Sequence, residues 1–163
     1  MAANIRHRDH LIHIAVFAML GVIMYLSDIL MEFLPNVHLI AFFIVVLTLV
    51  YRGYALIPIY IYVIINGIYS GFSMWWFPYT YIWTILWGLT MLLPKNLPKL
   101  ARHIIYPILC GLHGFAFGTL YAPAQALMFG MNTEQMVAWI IAGLPWDFIH
   151  CLGNLAAGLL IIP

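Results

Sequence analysis

The chain has 163 residues, 66% of them hydrophobic and 7% charged, with six Lys or Arg against five Asp or Glu and a formal net charge of +1. An ordinary soluble domain is about 45 to 50% apolar and about 25% charged, so this composition is that of an integral membrane protein. Six basic residues cannot build the electrostatic footprint of duplex binding, in which each phosphate contact needs a Lys or Arg, and nucleic acid is excluded as a partner.

At about 1.5 Å per helical residue and about 20 residues per crossing, the length allows roughly five to seven spans of the lipid bilayer and almost no mass outside it. Residues 10–33 form the first apolar run, interrupted by Asp28 and Glu32 and closed by the turn signal Pro35-Asn36. Arg6 and Arg8 ahead of it imitate a secretory signal, but the run is long and further spans follow, so it is read as retained. Residues 37–51 give a short second span ended by Arg52-Gly53, and residues 54–72 a third. Trp75-Trp76-Phe77-Pro78-Tyr79 is an aromatic connection of the kind found at membrane interfaces.

A fourth span covers residues 79–93, followed by the polar loop Pro94-Lys95-Asn96-Leu97-Pro98-Lys99. The fifth, residues 101–129, can kink at Pro107 and Pro123. Asn132 with Gln135 three residues on is a capping-box pattern, so residues 133–142 are expected as a short interfacial helix broken by Gly143. Pro145 then suits the first position of a sixth span that runs to the last residue. The expected fold is an all-α membrane protein, one domain over residues 1–163, arranged as a six-transmembrane-helix bundle. Both termini are expected to be cytoplasmic, because only then do Arg6, Arg8, Arg52, Lys95, Lys99 and Arg102 all fall on the cytoplasmic side. Asp28, Glu32, Glu134 and Asp147 then fall at outer span ends or in outer loops.

An ionisable group inside a span costs at least about 2.5 to 3.5 kcal/mol on insertion scales and is a functional candidate for that reason. Asp147, His150 and Asn154 lie at i, i+3 and i+7, on one face of the last helix. The competing explanation is an interfacial acid and two polar residues satisfying each other between helices. Asp28 and Glu32 are four apart at the outer end of the first span, where a solvated helix end competes with a ligand role, better placed on Glu32. Asn36 and His38 flank the following turn, Asn66 lies at mid-membrane with Tyr62 and Tyr69 on its face, and Tyr121 and Gln125 share a face of the fifth span.

Trp75, Trp76, Tyr79, Tyr81, Trp83, Trp87 and Trp146 add aromatic walls, and together these residues offer what a small-molecule pocket needs. An aromatic belt at headgroup level would use the same residues, so only some of them are ligands. The expected substrate-binding set is Glu32, Asn36, His38, Asn66, Trp75, Trp76, Tyr79, Tyr121, Gln125, Trp146, Asp147, His150 and Asn154.

His7, His10 and His13 have metal-like spacing but no Cys, and Asp9 is the only carboxylate beside them. They are read as interfacial, and no metal is expected. Cys110 and Cys151 lie in apolar runs as free thiols. Gly111, Gly114 and Gly118, and Gly153 with Ala157, form close-packing faces. Nothing resembles a phosphate loop, a nucleophile elbow or a metalloprotease motif, so neither an enzyme nor a cofactor is expected.

The segment Gly143-Leu-Pro-Trp-Asp147-Phe-Ile-His150-Cys-Leu-Gly-Asn154-Leu resembles the opening of the last helix in the substrate-binding S components of energy-coupling factor (ECF) transporters. These are subunits of bacterial and archaeal importers of vitamins and related micronutrients. The resemblance covers the whole chain: its length, six spans, a cytoplasmic N-terminus and a proline-split basic loop between spans four and five. It implies a location in a bacterial or archaeal cytoplasmic membrane. It also implies no ATPase in the chain itself, and as partners a transmembrane coupling protein and two ATP-binding-cassette ATPases. Cargo would enter from outside and be released inward by toppling of the bundle. The coupling contact would fall on Ala15, Ala18 and Val22 of the first helix. The family's small-residue pair four apart is altered there, since Ala18 is followed four on by Val22 and only Ala15 and Gly21 remain small.

The expected cargo is a small water-soluble vitamin or related heteroaromatic, neutral or partly cationic, since the outer half offers acids and aromatic faces but no Lys or Arg. Vitamin B6 forms, thiamine or its pyrimidine precursor, and a queuosine precursor fit this description. A six-span scaffold of the rod-shape type from cell-wall elongation resembles the architecture too, but a scaffold has no reason to gather polar side chains in one outer cavity.

Overall fold

Hydrocarbon has no water to pair with backbone N–H and C=O groups, so a chain this apolar must satisfy them within each segment, and helix is the local solution. A computed structural model describes residues 2–161, with side chains from Leu11 onward. The side chains of Arg6, His7, Arg8, Asp9 and His10 lie outside the described residues. Helices α1 (Ala2–Met31), α2 (Ile40–Tyr51), α3 (Leu56–Ser70), α4 (Tyr79–Leu92), α5 (Lys99–Phe129) and α6 (Thr133–Gly158) make up the fold, with a 3-10 turn (Arg52–Ala55) between α2 and α3. No strand occurs among the described residues.

Four helical stretches are long and apolar enough to cross a membrane: Leu11–Met31, Ile40–Ser70, Lys99–Phe129 and Thr133–Gly158. That is compatible with a multi-pass membrane protein and differs from the six comparable spans expected from the sequence. The shortfall is in α2, α3 and α4, whose 12, 15 and 14 residues reach only about 18 to 23 Å against a hydrocarbon core of about 30 Å.

Ile40–Ser70 is not one rod. A straight helix of that length would hold its ends about 46 Å apart, yet His38 just before it and Tyr69 and Ser70 at its far end line the same cavity. The chain doubles back at Arg52, whose backbone has the positive φ of 54° that non-glycine residues rarely adopt. Helix α4 holds this turn from both directions. Arg52 Nη2 donates to the carbonyl of Met91 at 3.0 Å, and Trp87 Nε1 donates to the carbonyl of Arg52 at 3.0 Å.

The core is built from Met24, Ile40, Ile44, Ile59, Tyr62, Ile82, Trp83 and Leu86, all buried, so that α1 to α4 converge on Trp83 and Tyr62. Helix α1 reaches α3 through Gly21, which lies flush against Ile61 and the carbonyl of Pro58. Ala15 and Val22 consequently face outward and Ala18 is half-buried.

Helices α5 and α6 share the largest interface in the molecule. Glycines make it close. A Cβ on Gly114 would stand 2.8 Å from the carbonyl oxygen of His150, a Cβ on Gly118 would overlap the Asp147 carboxylate, and one on Gly158 would stand 2.6 Å from Pro107 Cα. Helix α6 also corrects the expected break at Gly143, because residues 133–142 are not a separate interfacial helix. The capping box fixes the start, with Asn132 Oδ1 accepting from the Gln135 N–H and Gln135 Oε1 accepting from the Asn132 N–H, both at 2.9 Å. Pro145 sits inside the helix rather than at its first position, as Pro107 and Pro123 do in α5. A single proline removes one intrahelical bond and kinks a helix without ending it, and α6 continues through Gly143 and Pro145 as one element.

Gly114→Ala should destabilise the α5–α6 pair by about 1 to 3 kcal/mol, because the added carbon meets the His150 backbone carbonyl, which cannot swing aside, and the buried Asn154 side-chain amide. Gly88→Ala, where nothing lies within 4 Å of the added carbon, should leave stability unchanged or raise it slightly. Thermal unfolding in detergent checks the pair, and equal behaviour of the two variants would contradict this account of the interface.

Candidate ligand-binding cavity

The periodicity of α1 and α3 aligns two polar stripes. Tyr25, Asp28 and Glu32 follow one another at i, i+3 and i+7 along α1 and just past its end, and Tyr62, Asn66 and Tyr69 at i, i+4 and i+7 along α3. Where these helices meet, Tyr62 Oη donates to Asp28 Oδ2 at 2.9 Å. The stripes form one wall of a cavity of about 310 Å³, at the small end of the range for ligand pockets. Tyr79 and Trp83 of α4, Phe117 of α5 and His150 of α6 close the far side, and Trp75 borders it from the aromatic connection.

A loop folded by successive turns covers the remaining side. Leu34 N–H donates to the Met31 carbonyl at 2.8 Å and Val37 N–H to the Leu34 carbonyl at 3.1 Å. Asn36 takes a left-handed conformation, φ 58°, which asparagine tolerates better than most residues. Val37 seats the loop on α6 over Gly153. His38 then turns inward, its ring edge-on to Trp83 at 5.8 Å and to His150 at 4.6 Å between centroids. Its Nδ1 accepts from the Ile40 N–H at 3.3 Å, which leaves the proton of the neutral ring on Nε2. Burial among these rings penalises the cation and pushes the His38 pKa down to about 4.

Four buried polar atoms on side chains lining the cavity have no partner within the protein: Tyr25 Oη, Asn66 Oδ1, Trp83 Nε1 and His150 Nε2. A buried donor or acceptor left unmet typically costs about 1 to 3 kcal/mol. No Lys or Arg lines the cavity among the described residues, and Arg52 is at the opposite end of the bundle beside the end of α4. Among the described residues no three His, Cys, Asp or Glu come together as a metal centre requires.

Of the residues expected at a pocket, Glu32, Asn36, His38, Asn66, Trp75, Tyr79 and His150 line this cavity. The others lie outside it. Trp76 turns toward α3, its Nε1 donating to the Val63 carbonyl at 2.8 Å. Tyr121 stacks on Trp139 and donates to the Trp75 carbonyl at 2.7 Å, supporting the wall from behind, and Gln125, one turn further along α5, does not reach it. Trp146 points away from the bundle and is 56% exposed.

Asp147 and Asn154 share a helix face with His150, but that face packs flush on the glycines of α5. Asp147 Oδ1 accepts from the Gly118 N–H at 3.0 Å, and Asn154 is fully buried against Gly114. Only His150, between them, reaches the cavity. The cavity also uses Tyr25, Asp28, Tyr62, Tyr69, Trp83 and Phe117, which were not in the expected set. The signal that could have found the first four was the pair of stripes on α1 and α3.

Comparisons with models of known families, with curated proteins and with solved structures find no match for this chain.

With its pKa held near 4 rather than the usual 6.5, His38 should remain neutral at pH 5, with its proton on Nε2. Nitrogen-15 NMR of the imidazoles in detergent distinguishes this from a protonated ring, and a cationic His38 at pH 5 would contradict the packing described.

Proposed function

We propose that this protein is the substrate-binding subunit of an ECF-type importer of the bacterial or archaeal cytoplasmic membrane, taking up a small heteroaromatic vitamin or related micronutrient. The observation that carries the reading is the cavity itself. Seven aromatic side chains, two carboxylates and four unpartnered buried polar atoms gather in about 310 Å³, where a scaffold would gain stability from apolar packing instead. The cavity lies at the end of the bundle away from Arg52, Lys95 and Lys99, the end that faces outside when basic loops face the cytoplasm. In this arrangement the chain crosses the membrane six times, with α2, α3 and α4 as short crossings completed by their flanking turns, and both termini are cytoplasmic.

Import against a gradient then requires an external energy source, because binding by itself moves nothing uphill. A coupling protein and two ATPases would supply it, meeting α1 on the outward-facing side of Ala15, Ala18 and Val22. Catalysis is not part of this reading: the cavity groups bind and orient.

A thermal-shift screen of water-soluble vitamins against the purified chain should find one stabilising ligand. Saturation at about 100 times its Kd would add about 2.7 kcal/mol. Vitamin B6 forms, thiamine or its pyrimidine precursor, and a queuosine precursor are the expected hits. His150→Ala should then weaken binding by about 5-fold to 150-fold, the worth of one buried hydrogen bond of about 1 to 3 kcal/mol, while Gln125→Ala should not. Single cysteines at Lys99 and Glu134 should be labelled from opposite sides of the membrane. Concentrative uptake in cells lacking the coupling protein and ATPases would overturn the ECF assignment.

A further inference from the structure

Acceptors dominate the α1–α3 wall: the Asp28 carboxylate, the Glu32 carboxylate and Asn66 Oδ1, with Tyr62 Oη already spending its proton on Asp28 and the unpartnered hydroxyl of Tyr25 beside them. N–H donors stand at Trp83 Nε1 on the far side and at the Nε2 of His38 in the covering loop, fixed in that tautomer by the Ile40 N–H, with the unpartnered His150 Nε2 between them. Between the two walls are aromatic rings, whose faces attract cations. An anionic ligand would meet two carboxylates and no Lys or Arg.

We propose that the cavity selects a small aromatic cation bearing N–H donors, an amidinium or a protonated amino-heterocycle, with Asp28 as its counter-ion and Asn66 Oδ1 as its second acceptor. The proposal rests on the cavity being a binding site and deepens that reading by naming the chemistry. Asn66 points to a hydrogen-bond donor independently of the acids. It is 8% exposed and its Oδ1 has no partner in the protein, so it asks for a donor from the ligand. A quaternary cation would answer the carboxylates and the ring faces but leave Asn66 Oδ1 unmet. A neutral ring would answer Asn66 but not the charge of Asp28. A flat ring with an N–H edge on one side and a ring nitrogen or hydroxyl on the other satisfies both walls at once, with the lone pair meeting His38 Nε2–H or Trp83 Nε1–H. Charge-assisted hydrogen bonds of this kind are roughly twice as strong as neutral ones.

The test uses the full chain in detergent at pH 7.5, with binding read by saturation-transfer NMR and by quenching of tryptophan fluorescence, since Trp75 and Trp83 line the cavity. Five probes of similar size separate the terms: benzamidine and 4-aminopyridine as cations with N–H donors, trimethylphenylammonium as a cation without them, benzyl alcohol as a neutral ring and benzoate as an anion. The two N–H cations should bind at least tenfold more tightly than the other three. Asp28→Asn should remove at least tenfold of benzamidine affinity, and Asn66→Leu should erase the preference over trimethylphenylammonium, with Gln125→Ala unchanged. Should Asp28→Asn fail to fold, the ranking of probes on the parent protein decides alone. Benzoate or benzyl alcohol binding as tightly as benzamidine would overturn the proposed chemistry while leaving a binding cavity in place. Equal binding of trimethylphenylammonium would overturn the role of the N–H edge and of Asn66. No binding by any probe would overturn this proposal, whereas the binding reading beneath it falls only if the vitamin screen also finds no ligand.

Discussion

A polar group buried in a membrane protein has few ways to be satisfied, because the surrounding hydrocarbon offers no hydrogen bonds and the bundle offers only what neighbouring helices present. Much of this structure follows from how that demand is met. Backbone groups meet it by helix formation, and Asn132 with Gln135 meets it at the start of α6. Thr48 and Thr90 meet it by bonding back to the carbonyls of Ile44 and Leu86, at 2.6 and 2.8 Å. Against that background the side chains that are not satisfied from within stand out, and four of them line one cavity. Their cost is offset by the close packing around them.

The glycine seam between α5 and α6 divides a single polar helix face into two uses. Gly114 and Gly118 let α6 approach so closely that Asn154 and Asp147 are taken into the interface, Asp147 on the Gly118 N–H. His150 lies between these two along α6 but beside Phe117 and His38, 4.8 and 4.6 Å from their ring centroids, where the seam opens. Helix packing and cavity lining thus share one stripe of α6.

Charge is segregated along the same axis. Arg52 bonds the end of α4 beside the Lys95 and Lys99 loop, whereas Asp28 and Glu32 border the cavity at the other end. Tyr121 ties the α5 end of that region to Trp75. The reversal at Arg52 makes this possible: by folding Ile40–Ser70 back on itself it returns Tyr62, Asn66 and Tyr69 to the end where His38 began.

The long apolar segments, the helical content, the capping box at Asn132 and the close-packing glycines are local properties, set by composition, by spacing and by the chemistry of neighbouring residues, and the sequence by itself determined them. It also singled out Asn66, His38 and His150, because a polar side chain in an apolar run is conspicuous whatever surrounds it. The continuity of α6 through Gly143 and Pro145 was not legible locally, because a glycine followed by a proline reads as a break although a helix can carry both in its interior. Tertiary structure also decided which face of each helix meets which neighbour. Asp147, His150 and Asn154 are equivalent by spacing, and only the depth of the α5 groove separates one cavity residue from two interface residues. Tyr25 and Asp28 at the end of α1 and Trp83 in α4 have no relation along the chain, and they share a cavity because Gly21 brings α1 onto α3 and the turn at Arg52 brings α3 beside α4. Such convergence depends on contacts between residues distant in sequence, and no local pattern carries it.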